Sequence, residues 1–262
     1  MFLSSIRNCH IRLFKKKIWL SFAILSILFH VGLIFVGLVP SLVSRPMHLV
    51  FLLPWVFIYE RQSRIRFFSG LLFTIGGISV SIWIAVNHVS LGDQYGFLES
   101  NVQIFFSILI IICIIEAARR VVGWPLPVMA ISALFYGLFG SLIPGEFGHT
   151  GMPIESFLGT MIITEGGIWG SLTGISVGIV SIFVIFGAFL NAGEAGQGFM
   201  NIAKAIAGRL KGGAAKVAVV SSALFGSISG SASANVASTG AITLPAMTRL
   251  GYPRPLAGAV EA

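Results

Sequence analysis

The stretch Ala223–Leu244, with the sequence ALFGSISGSASANVASTGAITL, decides the fold. Between Gly226 and Ala241, every residue except Ile228 and Val236 is glycine, serine, alanine, threonine or asparagine. Small residues let helix backbones approach closely in a membrane, and their carbonyl and hydroxyl groups remain available to a ligand. The stretch therefore predicts either a re-entrant helical hairpin or one ordinary transmembrane helix of small residues.

The hairpin alternative divides this region into two half-length helices, Ala214–Ile228 and Ala234–Arg249, with a tip at Ser229–Asn235. A helix of about 15 residues is ~22 Å long, which is short of the ~30 Å hydrocarbon core of a bilayer. Helices broken at this depth bind cations on freed carbonyls and anions at helix N-termini. The hairpin therefore predicts a binding site at its tip.

The composition is that of a helical membrane protein. Of 262 residues, 56% are hydrophobic and 10% are charged, and the mean hydropathy is +0.94. The apolar runs are as long as helices, unlike the ~10-residue alternation of a transmembrane β-strand. We therefore predict an all-α, polytopic transmembrane fold with about six spanning helices, one interfacial amphipathic helix and one re-entrant hairpin.

The predicted elements follow the apolar runs. The interfacial helix is expected at Gln197–Leu210, where apolar and polar residues alternate with helical spacing. The predicted spans are Ile18–Val39, Met47–Tyr59, Phe67–Val86, Ile104–Ala118, Trp124–Ile143 and Gly170–Ala192.

The basic residues predict a topology. If each span crosses once and the hairpin returns to the side it left, every lysine and arginine except Arg45 lies on one side of the membrane. The positive-inside rule makes that side the cytoplasm. A single crossing by the small-residue stretch would place Arg249 and Arg254 outside, so the charge pattern favours the hairpin. We expect a multi-pass membrane protein with a cytoplasmic N-terminus.

A few polar side chains fall inside or beside the predicted spans. His30 is expected to pack against a neighbouring helix, while Arg45 and His48 are expected to extend toward the membrane surface. Glu116 is expected to form an ion pair with the two arginines that follow it. A pore-facing His30 and a proton-relaying Glu116 are the alternatives.

Signatures of catalysis are sparse in the sequence. An intramembrane serine protease needs a histidine beside its nucleophile, yet none of the five histidines lies in a predicted span after the serine cluster. The sequence has no phosphate-binding loop, no metal-ligand spacing and no paired intramembrane carboxylates. We therefore expect no enzyme activity and no ATP hydrolysis. A secondary transporter and a structural or assembly subunit remain.

Much of the chain resembles a known family. The run Gly212–Ala262 is similar to the first hairpin region of the large permease of tripartite ATP-independent periplasmic (TRAP) transporters. The upstream stretches IIEAARRVVGWPLP, LFYGLFGSLIPG and FVIFGAFLNAG resemble the variety with fused small and large membrane subunits, often paired with a TAXI-type binding protein. Ser233 and Ser238 depart from the pattern, which has valine and threonine there.

The resemblance implies two domains and a function. Residues 1–123 would form a four-span region like the small subunit, and residues 124–262 the N-terminal part of a large permease domain. The implied function is ion-coupled import of organic acids delivered by a periplasmic binding protein, with Na⁺ as the expected coupling ion. The implied location is the bacterial inner (plasma) membrane. No other cofactor and no catalytic residue are expected.

The family's second, inverted half is missing from the sequence. We therefore expect a truncated form, or a second chain that supplies the missing permease half. The alternative is a non-transporting membrane assembly or interaction protein derived from such a permease.

The candidate site residues also come from the resemblance. The family's sodium and substrate contacts lie partly at the first hairpin tip. The matching positions here are Gly226, Ser227, Ser229, Gly230, Ser231, Asn235 and Thr239. Asn235 offers a carbonyl and an amide at the predicted break, and the glycines leave the backbone free to bend there.

The charge pattern predicts that Asp93 faces the periplasm and that Lys211 faces the cytoplasm. In a chain whose Cys9 and Cys113 are replaced by serine, Asp93→Cys and Lys211→Cys are probed separately on whole cells with a membrane-impermeant thiol reagent. We expect labelling of the first variant only. Labelling of the second variant and not the first would show the inverse topology.

Overall fold

The computed structural model describes residues 2–59, 63–193, 195–229 and 232–261, and within these ranges it contains helices and turns but no strand. The chain divides into two compact units, Met1–Val177 and Gly178–Ala262. The expected all-α class is confirmed. The division after residue 123 that the resemblance implies stays a prediction.

The first unit contains eight helices among the residues that the structure describes. They are α1 (Phe2–Val36), α2 (Ser41–Pro54), α3 (Arg64–Val86), α4 (His88–Gly92), α5 (Asn101–Val122), α6 (Pro125–Phe139), α7 (Ile154–Ile162) and α8 (Ser171–Ile175). A π-helical turn, Trp55–Tyr59, extends α2, and a 3₁₀ turn, Gly140–Leu142, follows α6.

The second unit begins within a π-helical turn, Ser176–Val180, that follows α8. Its helices are α9 (Ser181–Ala192), α10 (Ala195–Ala207), α11 (Gly213–Ser229), α12 (Ala232–Arg249) and α13 (Arg254–Glu261).

Six helices of the described chain are long and apolar enough to cross a membrane, which confirms the predicted number of spans. They are Lys16–Val36, Ser41–Tyr59, Arg64–Val86, Asn101–Val122, Pro125–Leu142 and Ser171–Phe189. The second is longer than predicted. It begins at Ser41 rather than at Met47, because Pro40 precedes the first turn and accepts a hydrogen bond from the Ser44 hydroxyl.

Helices α2, α3 and α5 pack together in the first unit. Leu53, Phe57, Ile84 and Ile110 are fully buried in its core. Gly70 of α3 lies against the main chain of the π-helical turn, because a Cβ atom at this position would lie 2.5 Å from the carbonyl oxygen of Phe57. The absence of a side chain therefore sets the distance between these two elements.

Glu116 forms the predicted ion pair at the end of α5. Arg119 donates to both carboxylate oxygens of Glu116, at 2.7 Å each, and Arg120 Nε donates to Glu116 Oε1 at 2.8 Å. Arg120 also donates to the Ser69 hydroxyl at 2.9 Å and so links α5 to α3. The ion-pair interpretation of Glu116 is confirmed.

Arg45 and His48 do not extend freely away from the protein but bond to groups of the first unit, so this prediction is wrong. The Arg45 guanidinium donates to the main-chain carbonyl of Trp169, and the side chain is only 17% exposed. His48 Nδ1 lies 2.7 Å from His30 Nε2. Both side chains find polar partners within the first unit, which leaves no reason for them to reach the surface. His30 is buried, as its predicted packing role requires.

The second unit is built around α11. Helices α12 and α13 pack against it through the buried residues Ala218, Met247 and Ala257. The predicted amphipathic helix is α10, and its buried face consists of Met200, Ala203 and Ala207, in contact with Val217 of α11.

The opposite edge of α10 is also apolar, since Ile202 and Ile206 are exposed there. This second apolar edge suits a helix at a membrane surface. The interfacial placement stays a prediction.

Gly70→Ala should lower the stability of the first unit. The added Cβ would press on the Phe57 carbonyl, and overpacking of this kind costs roughly 1–3 kcal/mol. The matched control is Gly76→Ala in the same helix, where a Cβ would meet the Leu109 side chain at an ordinary 3.4 Å. Thermal unfolding in detergent should show a lower midpoint for Gly70→Ala alone. Equal midpoints for the two variants would mean that α3 and the π-helical turn can move apart without a loss of stability.

Candidate functional site

The small-residue stretch forms two consecutive antiparallel helices. Helix α11 has 17 residues and α12 has 18, so each is about 26 Å long and falls short of a ~30 Å bilayer core. The hairpin is therefore present as a helix pair. Its re-entrant position in a membrane stays a prediction.

The tip of the hairpin is shorter than the predicted Ser229–Asn235. Helix α11 continues to Ser229 and α12 begins at Ala232, so Asn235 is helical and does not lie at a break in the backbone. Alanine and serine can occupy a helix without strain, and no proline occurs in α12 before Pro245. A run of small residues alone does not interrupt a helix.

Asn235 links the two helices by hydrogen bonds. Its Nδ2 donates to the main-chain carbonyl of Ser222 at 3.1 Å and to the Ser222 hydroxyl at 3.0 Å. Gly226 leaves room for this amide, because a Cβ there would lie 3.1 Å from Nδ2. The other amide atom, Oδ1, is buried and has no hydrogen-bond partner among the described residues.

Three polar side chains follow one another along α12 at intervals of four residues, which places them on one helix face. They are Asn235, Thr239 and Thr243. The hydroxyls of Thr239 and Thr243 donate to the two carboxylate oxygens of Glu261, on α13. Glu261 is only 5% exposed. Gly240 allows this approach, since a Cβ there would lie 3.2 Å from the Glu261 Cγ.

Each threonine hydroxyl has a second acceptor within its own helix. The Oγ1 of Thr239 lies 2.9 Å from the carbonyl oxygen of Asn235, and the Oγ1 of Thr243 lies 3.0 Å from that of Thr239. A hydroxyl has one hydrogen and two lone pairs. Each hydroxyl can therefore donate its hydrogen either to Glu261 or to the backbone carbonyl. When it donates to the backbone, it presents an oxygen lone pair toward the carboxylate.

The charge of Glu261 has no counter-charge in the described part of the chain, where no ion pair to it is found. An uncompensated buried carboxylate costs several kcal/mol, so a cation bound beside it would be stabilising. The carboxylate and the surrounding hydroxyls are oxygen ligands, which hard cations prefer. Among the described residues, no group of three or more His, Cys, Asp or Glu could hold a transition metal.

The structure brings together some of the predicted site residues. Gly226 and Asn235 lie at the α11–α12 contact, and Thr239 lies one turn after Asn235, against Glu261 of α13. Ser227 is exposed, and its hydroxyl donates to the Leu224 carbonyl of its own helix at 2.7 Å. The side chain of Ser229 lies outside the described residues, as do Gly230 and Ser231.

Sequence reasoning missed Ser222, Thr243 and Glu261. A signal for Glu261 was present, because it is the only acidic residue after Glu194 in the sequence and follows a long stretch of small and apolar residues. The i, i+4 spacing of Thr239 and Thr243 was also readable. Their meeting with Glu261 depends on how α13 folds back, which the local sequence does not specify.

Comparison with known proteins now gives the family. A sequence model of the family described as "Tripartite ATP-independent periplasmic transporter, DctM component" matches residues 109–262, more than half of the chain and all of the second unit. The chain belongs to this family. The resemblance to a TRAP permease is confirmed, and the protein is a multi-pass membrane protein of a transporter family.

Two curated relatives of the DctM-family chain illustrate the match. The isethionate TRAP transporter permease protein DctMQ of Oleidesulfovibrio alaskensis is 29% identical over 165 residues, which are 56% of this chain and 26% of that protein. The C4-dicarboxylate TRAP transporter large permease protein DctM of Rhodobacter capsulatus is 32% identical over 130 residues, 45% of this chain and 29% of that one. The chain thus matches little more than a quarter of these relatives' length. No solved structure matches it.

The Asn235 amide and Ser222 should be energetically coupled. Interhelical hydrogen bonds in membranes are worth about 0.6 kcal/mol on average and up to about 1.7 kcal/mol. A double-mutant cycle of Asn235→Ala with Ser222→Ala, measured by unfolding in detergent, should give a coupling in this range. Asn235→Ala with Ser227→Ala is the control and should be additive, because Ser227 bonds to its own helix. An equal coupling energy in both cycles would contradict a specific hydrogen bond between Asn235 and Ser222.

Proposed function

We propose that the chain is a membrane permease component of a cation-coupled secondary transporter that imports small organic acids. Its membership of the DctM family supports a transport role, and the buried oxygen cluster of the second unit supports cation coupling. The observation that carries the proposal is Glu261, a carboxylate that is 5% exposed and bonded only to threonine hydroxyls in the described chain. A carrier needs such a group, because its charge is compensated only when the coupling ion is bound.

The geometry of α12 favours a metal cation over a fixed internal partner. When a cation binds beside Glu261, the hydroxyls of Thr239 and Thr243 turn their hydrogens to the carbonyls one turn earlier and offer oxygen lone pairs. Both hydroxyls therefore keep a hydrogen-bond acceptor with or without the cation. Na⁺ is the proposed ion, since it accepts carboxylate, hydroxyl and amide oxygens, and the unpartnered Oδ1 of Asn235 lies on the same helix face. Proton coupling is the competing proposal.

The proposed substrates are organic anions. The two relatives are named for isethionate and for C4-dicarboxylates, which are both small organic acids. We propose that a periplasmic binding protein, of the TAXI type, delivers the substrate, and that the N-terminus is cytoplasmic. The proposal includes a fused arrangement, in which the first four spans correspond to the small membrane subunit. A complete carrier of this kind needs a second broken helix, supplied by further permease sequence.

Na⁺ should stabilise the purified chain in a way that depends on Glu261. A ligand present at ten times its Kd stabilises the folded state by about 1.4 kcal/mol, which corresponds to a shift of roughly 3–6 °C in the unfolding midpoint. We expect this shift with NaCl, compared with KCl or choline chloride at equal ionic strength and constant pH. Glu261→Gln should abolish the shift without lowering stability in choline chloride, since it removes an uncompensated buried charge.

Two threonines of α12 provide a matched control. Thr243→Val removes a hydroxyl that contacts Glu261 and should weaken the Na⁺ effect, whereas Thr248→Val removes an exposed hydroxyl bonded to its own helix and should preserve it. If the unfolding midpoint changes with pH but not with Na⁺, the coupling ion is a proton and not Na⁺. If the midpoint changes with neither, cation coupling is contradicted and an assembly role is favoured.

A further inference from the structure

A second candidate site lies in the first unit, far along the sequence from the hairpin. A cavity of about 580 Å³ is bounded on one side by α2 and on the other by residues 165–176, with Ile114 of α5 completing the wall. This volume lies within the 300–1,000 Å³ typical of small-molecule sites. Neither the family comparison nor the hairpin accounts for it.

The polar part of the cavity wall is held rigidly by hydrogen bonds. The Ser26 carbonyl can only accept, so the His30 Nδ1, at 2.7 Å, carries a hydrogen. In the neutral state His30 Nε2 then accepts from His48 Nδ1 at 2.7 Å, and His48 Nε2 accepts from the Ser176 hydroxyl at 3.2 Å. These groups satisfy one another, and they fix the positions of α1, α2 and the residue after α8.

The polarity of the cavity changes along α2. Arg45, His48, Leu49 and Leu52 lie on one face of the helix at i, i+3, i+4 and i+7, over a rise of about 10 Å. His48, Leu49 and Leu52 line the cavity, and Ile114 is beside them. One end is therefore polar and the other is made of aliphatic side chains, on helices apolar enough to span a membrane.

One charged side chain, Glu165, lines the polar end, and the Arg45 guanidinium reaches the wall from α2 through Trp169 and Glu165. The Arg45 guanidinium is held by the Trp169 carbonyl and lies 3.9 Å from the Glu165 carboxylate, and both Glu165 and Trp169 line the cavity. The Glu165 side chain is 67% exposed, so this long ion pair is weak. The guanidinium has five N–H donors, and the described contacts use one of them in a hydrogen bond, to the Trp169 carbonyl. The hydroxyl of Ser171, which also lines the cavity, is exposed.

We propose that this cavity binds one membrane phospholipid whose head group carries both a phosphate and an ammonium. The phosphate contacts Arg45, because a guanidinium matches phosphate oxygens in a two-pronged hydrogen bond. The ammonium contacts Glu165, and an acyl chain lies along Leu49, Leu52 and Ile114. A free organic anion fits less well, because it would leave the aliphatic end uncovered and would be repelled by Glu165.

Lipid retention by the intact chain tests this proposal. The chain is purified in detergent and titrated, by native mass spectrometry, with dioleoyl phosphatidylethanolamine, dioleoyl phosphatidylglycerol and the soluble head group glycerophosphoethanolamine. We expect one copy of the ethanolamine lipid to bind about tenfold or more tightly than the other two, since a charge-assisted contact and the acyl chain each add affinity.

Matched variants locate the lipid. Leu52→Trp fills the aliphatic end and should reduce binding about tenfold, while Leu72→Trp, at a 71% exposed position on α3, should not. Glu165→Gln, at an exposed side chain, should remove the preference for ethanolamine over glycerol and keep the lipid bound. Arg45→Gln should weaken both lipids.

Three results would overturn the proposal. The first is that the ethanolamine lipid binds the Leu52→Trp variant as tightly as the unchanged chain, which would mean that the lipid binds elsewhere. The second is that the soluble head group binds as tightly as the lipid, which would mean that the ligand is a free solute. The third is an ethanolamine preference that survives Glu165→Gln.

Discussion

Hydrocarbon offers no hydrogen-bond partner, and this constraint decides where the polar side chains of the described chain lie. Glu116 is enclosed by the two arginines that follow it in α5. Arg45 donates to a main-chain carbonyl, and the amide of Asn235 crosses from α12 to α11. Glu261 differs from these groups, because its partners are neutral hydroxyls and its charge has no counterpart in the described residues.

Close packing of small residues and a few hydrogen bonds join the two helices of the hairpin. At the α11–α12 contact these are Gly226 and the amide of Asn235, and elsewhere along the pair Met247 packs with Ala218. In the predicted re-entrant position these contacts would provide the attraction, because lipid leaves no hydrophobic driving force between helices.

Much of the architecture was predictable from the sequence, because it depends on patterns with the period of a helix. The six spans, the amphipathic helix and the paired helices of the small-residue stretch follow from apolar length, helical spacing and charge. The extent of the tip was wrong, since Asn235 belongs to α12. Glycine and serine have a lower helix propensity than alanine, but packing between the helices outweighs this cost. No proline interrupts the helix around Asn235.

The site was only partly predictable, because its chemistry comes from contacts distant in sequence. Asn235 and Thr239 were expected from the resemblance, whereas Glu261 enters only through the packing of α13 against α12. Arg45 was misjudged for a similar reason. Its partner, the Trp169 carbonyl, lies 124 positions later in the chain, and a side chain of this length was expected to end in water.

The hydrogen bonds from α1 to the cavity wall have one further consequence. The Nδ1 hydrogen of His30 is committed to the Ser26 carbonyl, so Nε2 of that ring accepts and His48 carries its hydrogen on Nδ1. His48 Nε2 is then the acceptor for the Ser176 hydroxyl. One main-chain carbonyl of α1 therefore decides the direction of each hydrogen bond in the series, and α1 determines which atoms the cavity wall offers as acceptors.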